Sequence, residues 1–279
     1  MRRIGIMQGR LVPKVEGRFQ SFPRGRWRDE LGRASEAGLE CIEWIYDVFG
    51  LDDNPFEQEG ALPPLAALAA QHGVAIRSVC ADYFMERLLL KGEAGERGTS
   101  RDVLVRLLER CGAFGVERIV LPFVDASSLS GPSDRDGLVA VLDDVLLATN
   151  ATGVELHLET DLGPAAFAEL LARLPSPRVR VNYDSGNSAS LGYRPRDEFA
   201  AYGDRVGSVH VKDRVRGGGT VPLGTGHTDF AELATELARI GYRGDFILQA
   251  ARGAEGDEVR WAAQNRAFVE ERILPGLAA

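Results

Sequence analysis

The sequence has few cysteines and no long apolar run, and each shortage excludes a class of protein. Its three cysteines, Cys41, Cys80 and Cys111, have no Cys-x-x-Cys spacing, so no disulfide framework or zinc-finger motif is expected. No uninterrupted apolar stretch reaches the roughly 18 residues needed to span a membrane. The apolar segment near the start is interrupted by Gln8-Gly9-Arg10 and does not resemble a secretory signal. We therefore expect a cytoplasmic protein without a membrane partner.

Positive charge is scarce relative to negative charge. The formal net charge is -8 and the sequence pI is near 5.2, so the molecule as a whole repels phosphate backbones and anionic lipid headgroups. We therefore expect no nucleic-acid partner. The other proportions, 44% hydrophobic and 27% charged residues, are typical of a globular protein, and 279 residues can bury one large core.

Short apolar segments rich in β-branched residues alternate with longer segments in which apolar residues have helical spacing. This alternation is typical of βα units around a parallel sheet. The eight predicted strands are Ile4 to Gln8, Cys41 to Trp44, Ala75 to Cys80, Arg118 to Phe123, Glu155 to Glu159, Val179 to Asp184, Val206 to Val211 and Asp245 to Gln249. The predicted crossover helices are Asp29 to Ala37, Leu62 to His72, Ser100 to Phe114, Leu138 to Thr149, Pro164 to Leu174, Arg196 to Ala201 and Asp229 to Ile240.

Turn signals support this pattern and favour a closed barrel. Asp229 and Glu232 resemble a capping box at the start of the last crossover helix. The glycines that follow predicted helix ends are Gly38, Gly73, Gly115, Gly153 and Gly241. Polar residues cluster at the carboxyl ends of strands from most of the chain, which predicts a single-domain (β/α)8 TIM barrel over residues 1–279. The Gly-x-Gly-x-x-Gly motif of a dinucleotide-binding sheet does not follow the first strand.

Four polar side chains lie at or near the ends of the last four predicted strands. Asp184 follows Glu159 by 25 residues and His210 follows Asp184 by 26, whereas Gln249 comes 39 residues later because of a glycine-rich insertion. Successive βα repeats place equivalent strand positions side by side, so we expect these four side chains to converge at the carboxyl rim. Two carboxylates, an imidazole and an amide oxygen suit one divalent cation, with Mn²⁺, Co²⁺, Mg²⁺ and Zn²⁺ all open.

Four sequence segments carry a resemblance to a known family. They are Glu-Leu-His-Leu-Glu at 155 to 159, Asn-Tyr-Asp-Ser-Gly-Asn at 182 to 187, Val-His-Val-Lys-Asp at 209 to 213 and Pro-Leu-Gly-x-Gly-x-x-Asp-Phe at 222 to 230. Together they resemble the sugar phosphate isomerase/epimerase family of xylose-isomerase-like TIM barrels. The resemblance implies a metal held by Glu159, Asp184 and His210, with Gln249 at the position where the family has a glutamate.

The resemblance also implies a reaction on a carbohydrate substrate. The metal would chelate a carbonyl and a neighbouring hydroxyl, and Glu159 would remove the adjacent C–H proton to give an enediolate. In ketose 3-epimerases of the family, two glutamates exchange protons on opposite faces of the substrate. A glutamine cannot accept a proton at ordinary pH, so the second acid/base must be another group, and Glu43, Asp213 and His157 are the candidates from the sequence.

Further residues are expected to contact the substrate or the second subunit of a homodimer. The predicted substrate-binding residues are Glu43, His157, Asn187, Lys212, Asp213, Arg216 and Arg252. Lys212, Arg214, Arg216 and Arg252 make the rim basic, which suits an anionic substrate such as a sugar phosphate, although a solvated charged face is equally consistent. Gly217 to Gly219 predict a mobile loop that is either a substrate lid or a disordered tip. The aromatic residues of the first loop, Phe19, Phe22 and Trp27, could cover the pocket, pack the loop down or form a homodimer contact.

Three other functions remain open at this point. A lyase or dehydratase would use the same enediolate, and Gln249 makes it a serious alternative. An abasic-site endonuclease shares this fold family, but four histidines and net acidity weigh against it. A catalytically impaired sugar-binding barrel would keep Glu159, Asp184 and His210 for structural reasons alone.

Overall fold

Eight parallel strands close into a barrel in the computed structural model, which describes residues 3–277. The barrel strands are β1 (Ile4–Met7), β2 (Cys41–Ile45), β3 (Ala75–Cys80), β4 (Arg118–Phe123), β5 (Glu155–Thr160), β6 (Val179–Asp184), β7 (Val206–Val211) and β10 (Phe246–Leu248), while β8 (Asp213–Arg214) and β9 (Thr220–Val221) form a separate antiparallel pair. The strand order around the barrel is β1-β10-β7-β6-β5-β4-β3-β2. The predicted (β/α)8 TIM barrel is therefore confirmed.

Helices surround this barrel. They are α1 (Trp27–Glu36), α2 (Leu62–His72), α3 (Tyr83–Glu86), α4 (Ala94–Phe114), α5 (Pro132–Thr152), α6 (Pro164–Ala172), α7 (Ser185–Leu191), α8 (Pro195–Tyr202), α9 (Phe230–Arg239) and α10 (Glu258–Arg272). Among the described residues, no helix combines the length and the apolar character that a membrane crossing requires.

The helix-end glycines explain how the chain leaves these helices. All five predicted glycines have a positive φ, between 63° and 92°, a conformation that is costly for residues with a Cβ atom.

The Asp229 side chain accepts a hydrogen bond from the backbone N–H of Glu232 and caps α9, but Glu232 pairs with Arg194 and Arg196 instead of completing a capping box. The start of α9 was therefore predicted correctly.

Several elements differ from the sequence prediction. The helices α4 and α5 begin six residues earlier than predicted, at Ala94 and Pro132. The short helices α3 and α7 and the final helix α10 were not predicted, because α3 and α7 lie in turns at strand ends and α10 follows the last barrel strand. The last barrel strand spans only Phe246–Leu248, so Gln249 follows the strand instead of ending it.

The core consists of the apolar side chains between the sheet and the helices and inside the barrel. Large residues such as Trp44, Phe123 and Phe246 are almost fully buried there. Cys41, Cys80 and Cys111 are free thiols and are also buried. The predicted domain of residues 1–279 includes residues 1, 2, 278 and 279, which lie outside the described part of the chain.

Candidate metal centre and active site

Three adjacent strands position the acidic and imidazole groups. Glu159 lies in β5, Asp184 ends β6 and His210 lies in β7. The pairing of β6 with β7 shifts by one residue after Val181, so that Asp184 lies opposite His210. Without this bulge, Asp184 would lie opposite Val209 and the imidazole would point to the other face of the sheet. The bulge therefore places the histidine beside the aspartate.

The glycine at this bulge is required by close packing. A Cβ atom at Gly207 would lie only 2.4 Å from Cε1 of His157, which is closer than non-bonded carbon atoms approach. Gly207 therefore lets β7 bulge against the His157 ring. This packing fixes the register that brings His210 to the candidate metal centre.

Glu159, Asp184 and His210 converge as the sequence predicts. One ligand atom from each lies within 4.8 Å of the others, and all three residues are buried. His210 Nδ1 lies 3.1 Å from Glu159 Oε2 and 4.0 Å from Asp184 Oδ2. Two carboxylates and an imidazole nitrogen form a donor set that suits a divalent cation such as Mn²⁺, Co²⁺ or Zn²⁺.

The two nitrogens of His210 have different surroundings. Nε2 lies 2.6 Å from Glu43 Oε1, and because a carboxylate can only accept, Nε2 carries the proton. Nδ1 is buried and has no hydrogen-bond partner among the described residues, although it faces Glu159 and Asp184. A metal-binding histidine commonly has this arrangement, with a carboxylate on the outer nitrogen and a free lone pair on the inner one. The residues present therefore fit a divalent cation.

Charge at Glu43 determines the protonation of His210 when no metal is bound. Burial alone would lower the pKa of His210, but the charges of Glu43 and Glu159 outweigh burial and raise this pKa to about 10. His210 in turn lowers the pKa of Glu43, against the opposing effect of burial. In the metal-free protein at neutral pH, Nδ1 is therefore protonated and faces the two carboxylates.

We expect metal binding to release a proton. A cation needs the lone pair on Nδ1, so at pH 8 it must displace about one proton from His210, and the association constant should rise about tenfold per pH unit below the His210 pKa of about 10. Calorimetric titration with Mn²⁺ at pH 8 in two buffers of different ionisation enthalpy measures this release. Glu43→Gln removes the charge that most raises this pKa and should release less proton. Equal heats in both buffers for the wild-type protein would contradict this account of the site.

Both oxygens of Glu159 accept hydrogen bonds from asparagine side chains. Asn182 Nδ2 donates to Oε2 and Asn187 Nδ2 donates to Oε1, each at 2.8 Å. Asn182 in turn accepts from Ser208 Oγ at 2.6 Å, and Ser208 contacts His157 Nδ1 at 2.7 Å. The carboxylate that would remove a proton is thus held in one orientation by a chain of buried polar groups.

Lys212 and Gln249 lie next to this group. Lys212 Nζ is 3.3 Å from Asp184 Oδ2 and 3.1 Å from Gln249 Oε1, and the Gln249 amide nitrogen donates to Gln20 Oε1 at 3.0 Å. The Gln249 oxygen therefore faces a lysine ammonium. Its role as a fourth metal ligand stays a prediction.

A cavity of about 380 Å³ opens above these residues at the carboxyl ends of the strands. Of the residues predicted to bind metal or substrate, Glu159, Asn187, Lys212 and Gln249 line it. The residues Phe19, Gln20, Asp82 and Arg214 also line the cavity. A volume of this size can hold a small sugar, and Glu159 presents its carboxylate both to this space and to the candidate metal centre.

Two predicted substrate residues are buried away from this cavity. Glu43 is fully buried against His210. Asp213 is fully buried as well, and its carboxylate accepts from the backbone N–H groups of Gly224, Gly226 and Thr228. Asp213 thus orders the turn between β9 and α9, and its substrate role stays a prediction without a contact to support it.

His157 lies inside the barrel but near the opposite end. Besides Ser208, its ring contacts Glu155 Oε2 at 2.9 Å, and it lines a cavity of about 700 Å³ at the amino ends of the strands. Two residues along a strand correspond to roughly 7 Å, so His157 lies one layer below Glu159 on the same face. The alternation of side chains indicated the correct face but not the distance from the rim.

Arg216 and Arg252 lie outside the 380 Å³ cavity. Arg216 lines a separate cavity next to His227, and Arg252 donates to the backbone carbonyls of Gly9, Val12 and Phe19. The contacts of Arg252 hold the first loop in place. Of the four basic rim residues, only Lys212 and Arg214 face the cavity that contains Glu159.

The first loop packs down and covers one side of the cavity. Phe22 and Trp27 are buried and pack against Trp44, with ring centroids 5.8 and 5.6 Å away. Phe19 is 44% exposed and lines the cavity. The three aromatic residues therefore have two different positions, since Phe22 and Trp27 fix the loop and Phe19 borders the cavity.

A comparison with protein families identifies the barrel. A family model described as "Xylose isomerase-like TIM barrel" matches residues 31–272. The chain belongs to this family. The match covers most of the sequence and confirms the resemblance seen in the four sequence segments.

Similar proteins and structures match nearly the whole chain. "Putative L-ribulose-5-phosphate 3-epimerase SgbU" of Escherichia coli (strain K12) is 22% identical over 267 residues, which cover 88% of this chain and 91% of that protein. The solved structure of an L-ribulose 3-epimerase has a TM-score of 0.79 at 18% identity, over 99% of this chain and 96% of that one. A crystal structure of D-psicose 3-epimerase in the presence of D-fructose has a TM-score of 0.75 at 15% identity, over 97% and 99% of the two chains. At these identities the structural likeness shows a shared fold.

Proposed function

We propose that the protein is a divalent-metal-dependent epimerase that inverts C3 of a 2-ketose or its phosphate. The observation that carries this proposal is the position of Glu159, whose carboxylate lies 3.1 Å from His210 Nδ1 in the candidate metal centre and also borders a sugar-sized cavity. The names of the similar proteins, L-ribulose-5-phosphate 3-epimerase, L-ribulose 3-epimerase and D-psicose 3-epimerase, support the same reaction class.

The C3 hydrogen of a 2-ketose is acidic because it lies next to the C2 carbonyl. When bound, a divalent cation supplies positive charge that stabilises the negative charge developing on the substrate oxygens. Glu159 takes the C3 proton, and Asn182 and Asn187 keep its carboxylate oriented through their two hydrogen bonds. Lys212 and Arg214 place positive charge at the cavity wall, which suits an anionic or hydroxyl-rich substrate.

We expect Mn²⁺-loaded protein to epimerise at least one ketose of a panel of L-ribulose, L-ribulose 5-phosphate and D-psicose. In deuterated water the C3 epimer should carry deuterium at C3, because the transferred proton passes through exchangeable groups. Proton NMR of the reaction measures both the epimer and the isotope. If none of the three ketoses is converted with Mn²⁺, Co²⁺, Mg²⁺ or Zn²⁺, the proposed function is wrong for this panel.

The same experiment separates the epimerase from a lyase or dehydratase. A dehydratase would release water from the enediolate and give a product with one oxygen fewer, whereas an epimerase gives an isomer that keeps every oxygen and gains only the mass of the deuterium at C3. Mass spectrometry of the product distinguishes the two. The named relatives in the comparisons favour the epimerase.

A further inference from the structure

Inversion at C3 by proton transfer requires one group that removes the proton and a second group that delivers a proton to the other face. Glu159 supplies the first group under the proposed function. Gln249 cannot exchange protons at ordinary pH. The other candidates from the sequence, Glu43, Asp213 and His157, do not line the 380 Å³ cavity. None of the residues that the sequence indicated for the second role therefore lines the cavity.

Asp82 is a carboxylate in the right place. It follows β3, while Glu159 lies near the end of β5, and both side chains line the same cavity. Asp82 occupies the N-cap position of α3, but its side chain makes no capping hydrogen bond. Its carboxylate instead accepts from Gln20 Nε2 at 2.8 Å and from Cys80 Sγ at 3.3 Å. The side chain is thus held toward the cavity and is not used to stabilise the helix.

The amide at position 249 is connected to Asp82 through Gln20. Lys212 and Arg10 can only donate, so the Gln249 oxygen faces Lys212 and the Gln20 oxygen faces Arg10, at 3.1 and 2.9 Å. This orientation leaves the Gln249 nitrogen to donate to Gln20 and the Gln20 nitrogen to donate to Asp82. A glutamate at 249 would place a carboxylate against the Gln20 oxygen. Gln249 thus helps to fix the orientation of the Gln20 amide, whose nitrogen donates a hydrogen bond to Asp82.

The other free carboxylates at the cavity are less suited to the second role. Asp161 lies just after β5, on the same side as Glu159, and accepts a hydrogen bond from Ser128. Asp125 is exposed to solvent. Neither is linked to position 249 among the hydrogen bonds of residues 3–277. Asp82 is the cavity carboxylate that is half-buried and is separated from Glu159 by the strand β4.

We propose that Asp82 is the second acid/base of the epimerisation, an inference that rests on the proposed function. In one direction, Glu159 takes the C3 proton and the electron pair of the C–H bond enters the enediolate. The Asp82 carboxylic acid then gives its proton to C3 from the opposite face, which forms the new C–H bond and restores the carbonyl. Glu159 ends protonated and Asp82 ends ionised, and exchange with water resets both groups. The reverse reaction exchanges the two roles.

The environment of Asp82 suits both protonation states. Burial raises the pKa of Asp82 to about 6, with the charges of Asp47 and Glu159 acting in the same direction and the hydrogen bonds from Gln20 and Cys80 opposing them. A group with a pKa near the working pH can act as acid in one direction and as base in the other.

Asp82→Asn tests this role, because the variant should lose epimerisation but keep hydrogen–deuterium exchange at C3 of one epimer. In deuterated water with Mn²⁺ and the ketose of the panel that the wild-type protein converts, the variant should lose epimerisation about 100-fold or more. The epimer whose C3–H faces Glu159 should still exchange its hydrogen for deuterium with retained configuration. Proton NMR of each epimer, started separately, measures both rates. The stabilisation of the variant by Mn²⁺ should equal that of the wild type, since Asp82 is not a metal ligand.

Asp102→Asn is the matched control, because this carboxylate is exposed on α4 and does not line the cavity, and the variant should epimerise within about threefold of the wild type. Epimerisation by Asp82→Asn at a rate near that of the wild type would overturn the assignment. Loss of exchange from both epimers with Mn²⁺ binding intact would also overturn it, since this result indicates a general disturbance of the cavity. A wild-type protein that converts no ketose would instead refute the proposed function itself.

Discussion

Glu159→Gln should reduce epimerisation about 1000-fold, within the range of about 10²–10⁴ that a positioned general base contributes. The substitution preserves the shape of the side chain but removes the carboxylate that, under the proposed function, accepts the C3 proton. In deuterated water, exchange of the C3 hydrogen for deuterium should also stop in the epimer whose C3–H bond faces residue 159. Initial rates of epimer formation, followed by NMR with Mn²⁺ present, measure the loss.

A surface glutamate provides the comparison for this variant. Glu169 is exposed on α6, and Glu169→Gln should leave the rate within about twofold of the wild type. Full activity of Glu159→Gln would show that another group removes the proton. In that case Glu159 would be a metal ligand alone.

Asp184→Asn should weaken Mn²⁺ binding at least about 100-fold, beyond the 10–100-fold effect typical of residues outside the ligand set. Asp184 Oδ1 accepts from the Asn187 backbone N–H and so caps α7. Asparagine caps helices as well as aspartate does, so the substitution removes ligand charge while the helix start is kept. At an Mn²⁺ concentration 100 times the wild-type Kd, the stabilisation by metal should fall from about 2.7 to about 0.4 kcal/mol.

Asp229→Asn is the matched control for this variant. Asp229 also caps a helix, since its side chain accepts from the Glu232 backbone N–H at 2.9 Å, but it is not part of the candidate metal centre. Its variant should keep the full stabilisation by Mn²⁺, measured by thermal unfolding with and without the ion. Equal stabilisation in Asp184→Asn and the wild type would remove Asp184 from the ligand set.

Repetition made the barrel and the convergence of Glu159, Asp184 and His210 predictable from sequence. A strand of period two followed by a helix that ends at glycine occurs throughout the chain, and glycine tolerates the positive φ that the structure shows at residues 38, 73, 115, 153 and 241. Since parallel strands end at one rim, the near-equal spacing of Glu159, Asp184 and His210 was enough to predict that they converge. The spacing could not reveal the bulge at Gly207, which sets the register between Asp184 and His210.

Contacts between distant segments were not predictable in the same way. Asp213 looked like a rim carboxylate, but three backbone N–H groups of the following turn surround it. Gly217 to Gly219 form a turn as predicted, but the antiparallel strands β8 and β9 on either side of it were not predicted. Asp82 and Gln20 carry no motif, and their link to Gln249 joins residues up to 229 positions apart. The compartment and the predicted homodimer stay predictions.

An anomalous difference map from crystals grown with Mn²⁺ tests the central claim most directly. The account predicts one strong peak bonded to the carboxylates of Glu159 and Asp184 and to Nδ1 of His210, at distances of about 2.0–2.2 Å, with Nε2 still held by Glu43. A peak bonded to His210 through Nε2, a peak elsewhere, or no peak at saturating Mn²⁺ would contradict it.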